Sequence, residues 1–299
     1  MAYGRRADSD SSCSRHAVDQ LYERAAPVTV PAALFEELVR QAETAPFAGW
    51  DFSWLRGRAE EVRPPWDYRA EAEAALSRSH IALDIDTGGG EVLARLAPFN
   101  RWVVATEGYP PNIRIAAQRL VPLGVDVVGT ESAPDNVAQY PLTDRTPAST
   151  SSHLPFRAET FDLVLDRHSS YWPSEVLRVL RSTGTFLTQQ RSVGQDVPGL
   201  RTMFGQDEPQ GPHYDLAFAV TQLKAEGFEL VRAEEAETPL SFFDIGALVY
   251  YLRAVPWLVP GFTPERYREI LLNLHQRIRA EGSVHFSGAH MLLVARRPA

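Results

Sequence analysis

The stretch "IALDIDTGGGEVLARL", Ile81 to Leu96, decides how this chain is read. A short apolar run ends in alternating acids, Asp84 and Asp86. Three consecutive glycines follow, Gly88 to Gly90, and then residues with helical spacing. Strand, glycine turn and helix together suit a nucleotide for physical reasons. Glycine lets the backbone come close to a ligand. A helix N-terminus offers free N–H groups and the positive end of a dipole. In an open α/β sheet, ligands bind beyond the carboxyl ends of the strands.

Working outward, strands and helices alternate. "RWVVATE" reads as a second strand, and "PPNIRIAAQRL" as a helix with prolines at its start. "GVDVVGT", "ETFDLVLDRH" and "GTFLTQQ" read as further strands, with the helix "PSEVLRVLR" before the last of them. "LAFAVTQLKAEGFELVRAEEAE" adds a helix and a strand, and "GAHMLLVARRP" a final strand. This alternation predicts βαβ units and a mostly parallel sheet with helices on both faces.

Residues 1–16 are polar and read as a disordered tail, and 17–79 as a helical N-terminal cap. The core spans 80–237, a helical and aromatic insertion 238–283, and the final core strand 284–299. The segment 132–153 is rich in Pro, Ser and Thr and reads as a surface excursion.

Net charge is -8 over 299 residues, which lacks the broad basic footprint of a nucleic-acid binder. The single cysteine, Cys13, excludes an intrachain disulfide and any cysteine-based zinc site. His213, His285 and His290 lack metal-ligand spacing. No apolar run reaches the ~20 residues of a membrane span. These features predict a cytoplasmic protein without a nucleic-acid or membrane partner, and they leave the oligomeric state open.

Three cofactor readings compete for the glycine turn. A phosphate-binding Walker loop requires Lys-Ser/Thr after the glycines, but Glu91-Val92 follow. A dinucleotide fingerprint is met at Gly88 and Gly90, but Leu93 stands where the third glycine belongs. The third is S-adenosylmethionine (SAM). Glu107, ending the second strand, suits the ribose hydroxyls in both the second and third readings.

The downstream segment separates them. Leu154-Pro155-Phe156, Phe161-Asp162-Leu163-Val164, Val179-Leu180 and Gly184 resemble the class I SAM-dependent methyltransferases, especially the methyltransferase type 11 branch. That resemblance implies a Rossmann-like, seven-stranded, mostly parallel α/β sheet with an antiparallel last strand, plus helical N-terminal and C-terminal caps as in methyltransferases with a small-molecule substrate. It implies that Asp84 organises the glycine turn and that Gly88 and Gly90 pass under the methionine part of SAM. Thr87 lies in the same turn, and Glu107 takes the ribose. Tyr109 packs on adenine. His153 stands in the place before the Leu-Pro-Phe motif, where the family usually carries an acid. Asp86 stands where the family prefers glycine, and is either a partner for the SAM amino group or a repeller of its carboxylate.

Methyl transfer is an in-line displacement in which positioning supplies much of the rate. His168, just past the fourth core strand, is the candidate base or substrate contact. Arg167 is a candidate for the SAM carboxylate or an anionic substrate. Trp54, Trp66 and Tyr68 are candidates for a lid over SAM or for cap anchors, and Trp50 is read as an anchor before a lid. Arg56 and Arg58 are within reach of the SAM carboxylate, and Tyr250, Tyr251 and Trp257 are candidates for the acceptor pocket. Two rivals remain: a methyltransferase-fold protein that binds a ligand without methyl transfer, cyclase-like or regulatory, and a nucleotide-dependent oxidoreductase.

Overall fold

A computed structural model describes residues 32–134, 136, 154–192, 199–206 and 213–299. The expected tail 1–16, Cys13, His153 and most of the 132–153 excursion lie outside the described residues. In chain order the cap begins with helix α1 (Ala32–Thr44), strand β1 (Ala59–Glu61) and helix α2 (Tyr68–Arg78). Asp67 caps α2 by accepting the Arg69 N–H at 2.9 Å, a device that contributes about 1 kcal/mol. The core continues with β2 (Ile81–Ile85), α3 (Glu91–Ala94), β3 (Trp102–Glu107), α4 (Pro110–Leu120) and β4 (Val125–Gly129). Then come β5 (Phe161–Arg167), α5 (Pro173–Val179), β6 (Leu180–Arg191), α6 (Leu200–Met203), α7 (Leu216–Glu226) and β7 (Glu229–Glu237). The remainder is β8 (Leu240–Phe242), α8 (Ile245–Ala254), α9 (Arg268–Glu281), β9 (Val284–Phe286) and β10 (Ala289–Arg296).

The main sheet has seven strands in the order β4-β3-β2-β5-β6-β10-β7. β2 through β6 pair in parallel, whereas β10 runs antiparallel to both β6 and β7. The expected sheet and its antiparallel last strand are therefore present. Central strands β2 and β5 are nearly continuous apolar runs, as burial on both faces requires. One apolar cluster packs α5 and α7 on one face, through Val176, Val179 and Leu223; another packs α2 and α4 through Leu76, Ala116 and Leu120.

Two local readings change. The helix after the glycine turn is a single turn, Glu91–Ala94, because Pro98 leaves little chain for more. Its dipole is correspondingly small, so the turn offers a ligand close backbone approach more than a helix end. The cap, expected as helical, also contains strands. β1, β8 and β9 form a separate antiparallel three-stranded sheet. The residues before the core and those of the 238–283 insertion share one apolar cluster, including Phe35, Val39, Phe242, Leu248 and Leu271. Helix α8 is buried at every position except Arg253, which explains its all-round apolar sequence. Val284–Phe286 belongs to this cap sheet, and the final core strand begins at Ala289. Among the described residues, no helix is long and apolar enough to cross a membrane.

Candidate functional site

The carboxyl ends of β2, β3 and β5 meet at the glycine turn. Asp86, Gly88 and Gly90 take positive φ values of 46°, 64° and 77°. Glycine accepts this region freely, and aspartate is among the few other residues that tolerate it. A Cβ at Gly90 would come within 2.8 Å of Leu120, and one at Gly88 within 2.6 Å of the Trp50 indole. The turn therefore has no room for side chains at either position. The Thr87 N–H donates to the Thr106 carbonyl at 2.8 Å and fixes the turn to β3.

Asp86 has a specific set of partners. Its carboxylate accepts the Gly108 N–H at 3.1 Å and the Ser169 hydroxyl at 2.9 Å. It thus ties the end of β2 to the residues just past β3 and β5. Next to it lies a narrow crevice lined in part by Ile85, Thr130, Leu154, Ser170 and Trp172.

Four acids crowd this edge. Asp84 is pushed up to about 7 by burial, reinforced by the charges of Asp86 and Glu107. Burial also raises Asp86, Glu107 and, most strongly, Asp166. Glu107 is buried and accepts the Tyr109 N–H at 2.7 Å. Asp166 accepts from the Gln190 amide at 2.8 Å. Buried acids of like charge disfavour full ionisation, so a cation bound here lowers their cost. Among the described residues, no group of three or more His, Cys, Asp or Glu side chains is arranged to hold a metal.

The other candidates divide. Tyr109 is 60% exposed beside Glu107, open to a planar ligand. Tyr68 is buried, with its hydroxyl donating to the Asp166 carbonyl at 3.4 Å, and it packs within the sheet core. Arg167 lies over the Tyr68 ring at 5.9 Å. Arg58 is consumed by the cap: it pairs with Asp244 at 2.7 Å and lies 3.7 Å over Trp54. Tyr250 and Tyr251 are buried in the cap cluster, whereas Trp257 is 55% exposed and meets Trp50 edge-on. Trp50 thus touches both the cap aromatics and the glycine turn.

His168 sits past β5 with φ +63°, a strained value of the kind that gathers at functional sites. The residue as a whole is exposed, yet neighbours crowd its ring. Burial, then Arg167, His290 and Arg191, hold it well below its usual range. Sequence reading did not find its partners, Gln189 and His290. The available signal was "TQQR", two consecutive glutamines buried near the end of a core strand.

The strand order and the antiparallel last strand are those of the Rossmann-like class I SAM-dependent methyltransferase fold. No family profile matches the sequence, and no curated protein matches it. Among solved structures, the chain is similar to a candidate methyltransferase from Bacillus halodurans C-125. Identity is 19% and the TM-score 0.51, covering 78% of this chain and 99% of that one. It is also similar to the YcgJ protein from Bacillus subtilis, at 15% identity and TM-score 0.47, covering 78% and 98%. A third is the [4+2]-cyclase SpnF, at 16% identity and TM-score 0.45, covering 89% and 93%.

Proposed function

We propose that this chain is a SAM-dependent methyltransferase acting on a small-molecule acceptor. The observation that carries the reading is the pairing of the buried Glu107 carboxylate with a glycine turn too close-packed for any Cβ. These groups fit SAM: a carboxylate for a ribose diol, and bare backbone for the methionine chain. Asp84, Asp86, Thr87, Gly88 and Gly90 border the methionine end, Tyr109 the adenine, and Arg167 a carboxylate. Tyr68 supports the edge from beneath, and His153 remains a candidate by its position before Leu154. The acids at this edge favour a cationic ligand, and SAM carries a sulfonium and an ammonium.

Bound SAM supplies a methyl group activated for in-line displacement. The chain's own work is to hold both reactants in line and to keep water out. Trp50, resting on Gly88, is placed to cover the turn. The net charge of -8 fits a small molecule better than nucleic acid, and one cysteine fits a reducing, cytoplasmic setting. Glu107→Ala weakens SAM binding by ~1–3 kcal/mol through loss of charge-assisted hydrogen bonds. Calorimetry with SAM, S-adenosylhomocysteine and NAD checks this. No affinity for SAM or its product sinks the proposal. A second reading, binding without methyl transfer, is favoured by Asp86 in a position the resembled family gives to glycine. Labelled-methyl transfer to a metabolite panel separates the two.

A further inference from the structure

A chain of buried groups fixes which nitrogen of His168 carries the proton. Trp66, buried in the cap-proximal core, has an indole N–H that can only donate. It donates to the Gln189 side chain at 2.8 Å, so the atom it meets must be the amide oxygen. The amide NH₂ of Gln189 then faces His168 Nε2 at 3.3 Å. An NH₂ group donates, so Nε2 must accept, and the neutral ring carries its proton on Nδ1. A backbone bond, His168 N–H to the Gln189 carbonyl at 2.9 Å, holds the same two residues in register.

The surroundings keep this ring neutral. Arg167 stands on β5, Arg191 on β6 and His290 on β10, with its ring 5.0 Å away. Arg191 is paired with Glu61 of β1 at 2.6 Å, and His290 with the Thr238 hydroxyl at 2.7 Å. His290 is itself pushed down to about 3 by burial and then by the two arginines. No acid contacts the His168 ring among the described residues. Nε2 is occupied by Gln189, and Nδ1–H has no partner among the described residues.

We propose that His168 is not a general base but a neutral hydrogen-bond donor, whose Nδ1–H receives an oxyanion oxygen of a carboxylate- or phosphate-bearing methyl acceptor. The proposal rests on the methyltransferase reading for the word acceptor. The donor and its locked tautomer stand without it. Where the ionised oxygen itself takes the methyl group, it carries no proton at neutral pH, and the enzyme has none to remove. Trp66 and Gln189 are then positioning residues, acting through His168.

The test is ¹⁵N-histidine NMR on the full chain, with His168 assigned from the signal lost in His168→Asn. The expected spectrum has Nδ1 protonated and Nε2 bare, unchanged from pH 5.5 to 8. Gln189→Glu presents only acceptor oxygens to both Trp66 and His168. It is expected to move the proton to Nε2 and raise the titration midpoint into the observable range. Trp66→Phe, which frees the amide to rotate, gives a tautomer mixture. A protonated Nε2 in the parent protein, or a midpoint between pH 6 and 8, overturns the proposal.

The ligand class is read with benzoate and inorganic phosphate as probes and benzamide as the neutral control. Either anion is expected to shift the Nδ1–H signal, and benzamide to leave it in place. Which anion binds tells carboxylate from phosphate. By calorimetry, His168→Asn, which retains an N–H near the Nδ1 position, keeps the probe affinity within about threefold. His168→Gln loses about tenfold, one RT ln 10 of binding. A signal unmoved by both anions, or moved equally by benzamide, overturns the ligand assignment. Binding of S-adenosylhomocysteine, measured alongside, reports on the methyltransferase reading alone.

Discussion

Asp84→Asn raises the thermal midpoint of the ligand-free protein at pH 8 and removes most of its affinity for SAM. Both effects follow from the same carboxyl group. In the folded protein it ionises only at about 7, chiefly because it is buried. In the unfolded chain an aspartate ionises near 3.9. A group raised in the folded state contributes stability that is fully present below the unfolded value. That stability is lost as pH climbs through the folded value. At pH 8 the native protein therefore carries a strained charge costing about 2–4 kcal/mol. Asparagine lacks that charge, so the gain appears at pH 8 and vanishes near pH 4. For a chain of this size the shift is roughly 3–6 °C by scanning calorimetry. The same strained charge is what a sulfonium or ammonium group relieves, so SAM binding to Asp84→Asn falls by about tenfold or more. A midpoint that does not move would show that Asp84 carries no strain. A retained SAM affinity would show that the cofactor does not use it.

Asp86 gives the second large effect, and its two replacements differ in size. Asp86→Ala leaves the Gly108 N–H and the Ser169 hydroxyl without their acceptor and forces alanine into φ +46°. The unmatched donors cost about 1–3 kcal/mol and the backbone about 1–2 more. Urea unfolding is expected to show a loss of about 3 kcal/mol. Asp86→Gly restores the pattern of the resembled family and relieves the backbone, so the loss falls to about 1–2 kcal/mol. SAM affinity drops in both, because Asp86 is what ties the turn to β3 and β5. If Asp86→Gly instead binds SAM more tightly, the carboxylate opposes the cofactor, and binding without methyl transfer becomes the better reading.

Much of this architecture is legible in the sequence because it is written in short-range terms. The strand at 81–85, the glycine turn and the helices opened by Pro110 and Pro173 depend on neighbours a few residues away. Glu107 was found in the same way, as the last residue of a strand. What escaped depends on contacts across the fold. Nothing local says that Trp50 comes to rest on Gly88, or that Trp66 orients an amide 123 residues further on. Arg58 reads as a free cation, yet a carboxylate 186 residues away holds it. Asp86 read as a ligand or a repeller, and its partners Gly108 and Ser169 make it a brace first.

The small sheet of the cap has a consequence for how the molecule is made. β1 lies near the start of the described chain, but its partner β8 begins at Leu240, and β8 in turn pairs with β9 at Val284–Phe286. During synthesis β1 must wait, unpaired, while nearly the whole Rossmann-like sheet emerges ahead of its partner. Pairings this distant in sequence close late, because the intervening loop must be ordered before they return any free energy. The aromatic cover that sets Trp50 on the glycine turn is therefore among the last parts to form. A ribosome-bound chain stopped before Leu240 would display most of the parallel sheet and Glu107, with no cap above them. Seating of that aromatic cover thus waits until β8 and β9 have both been made.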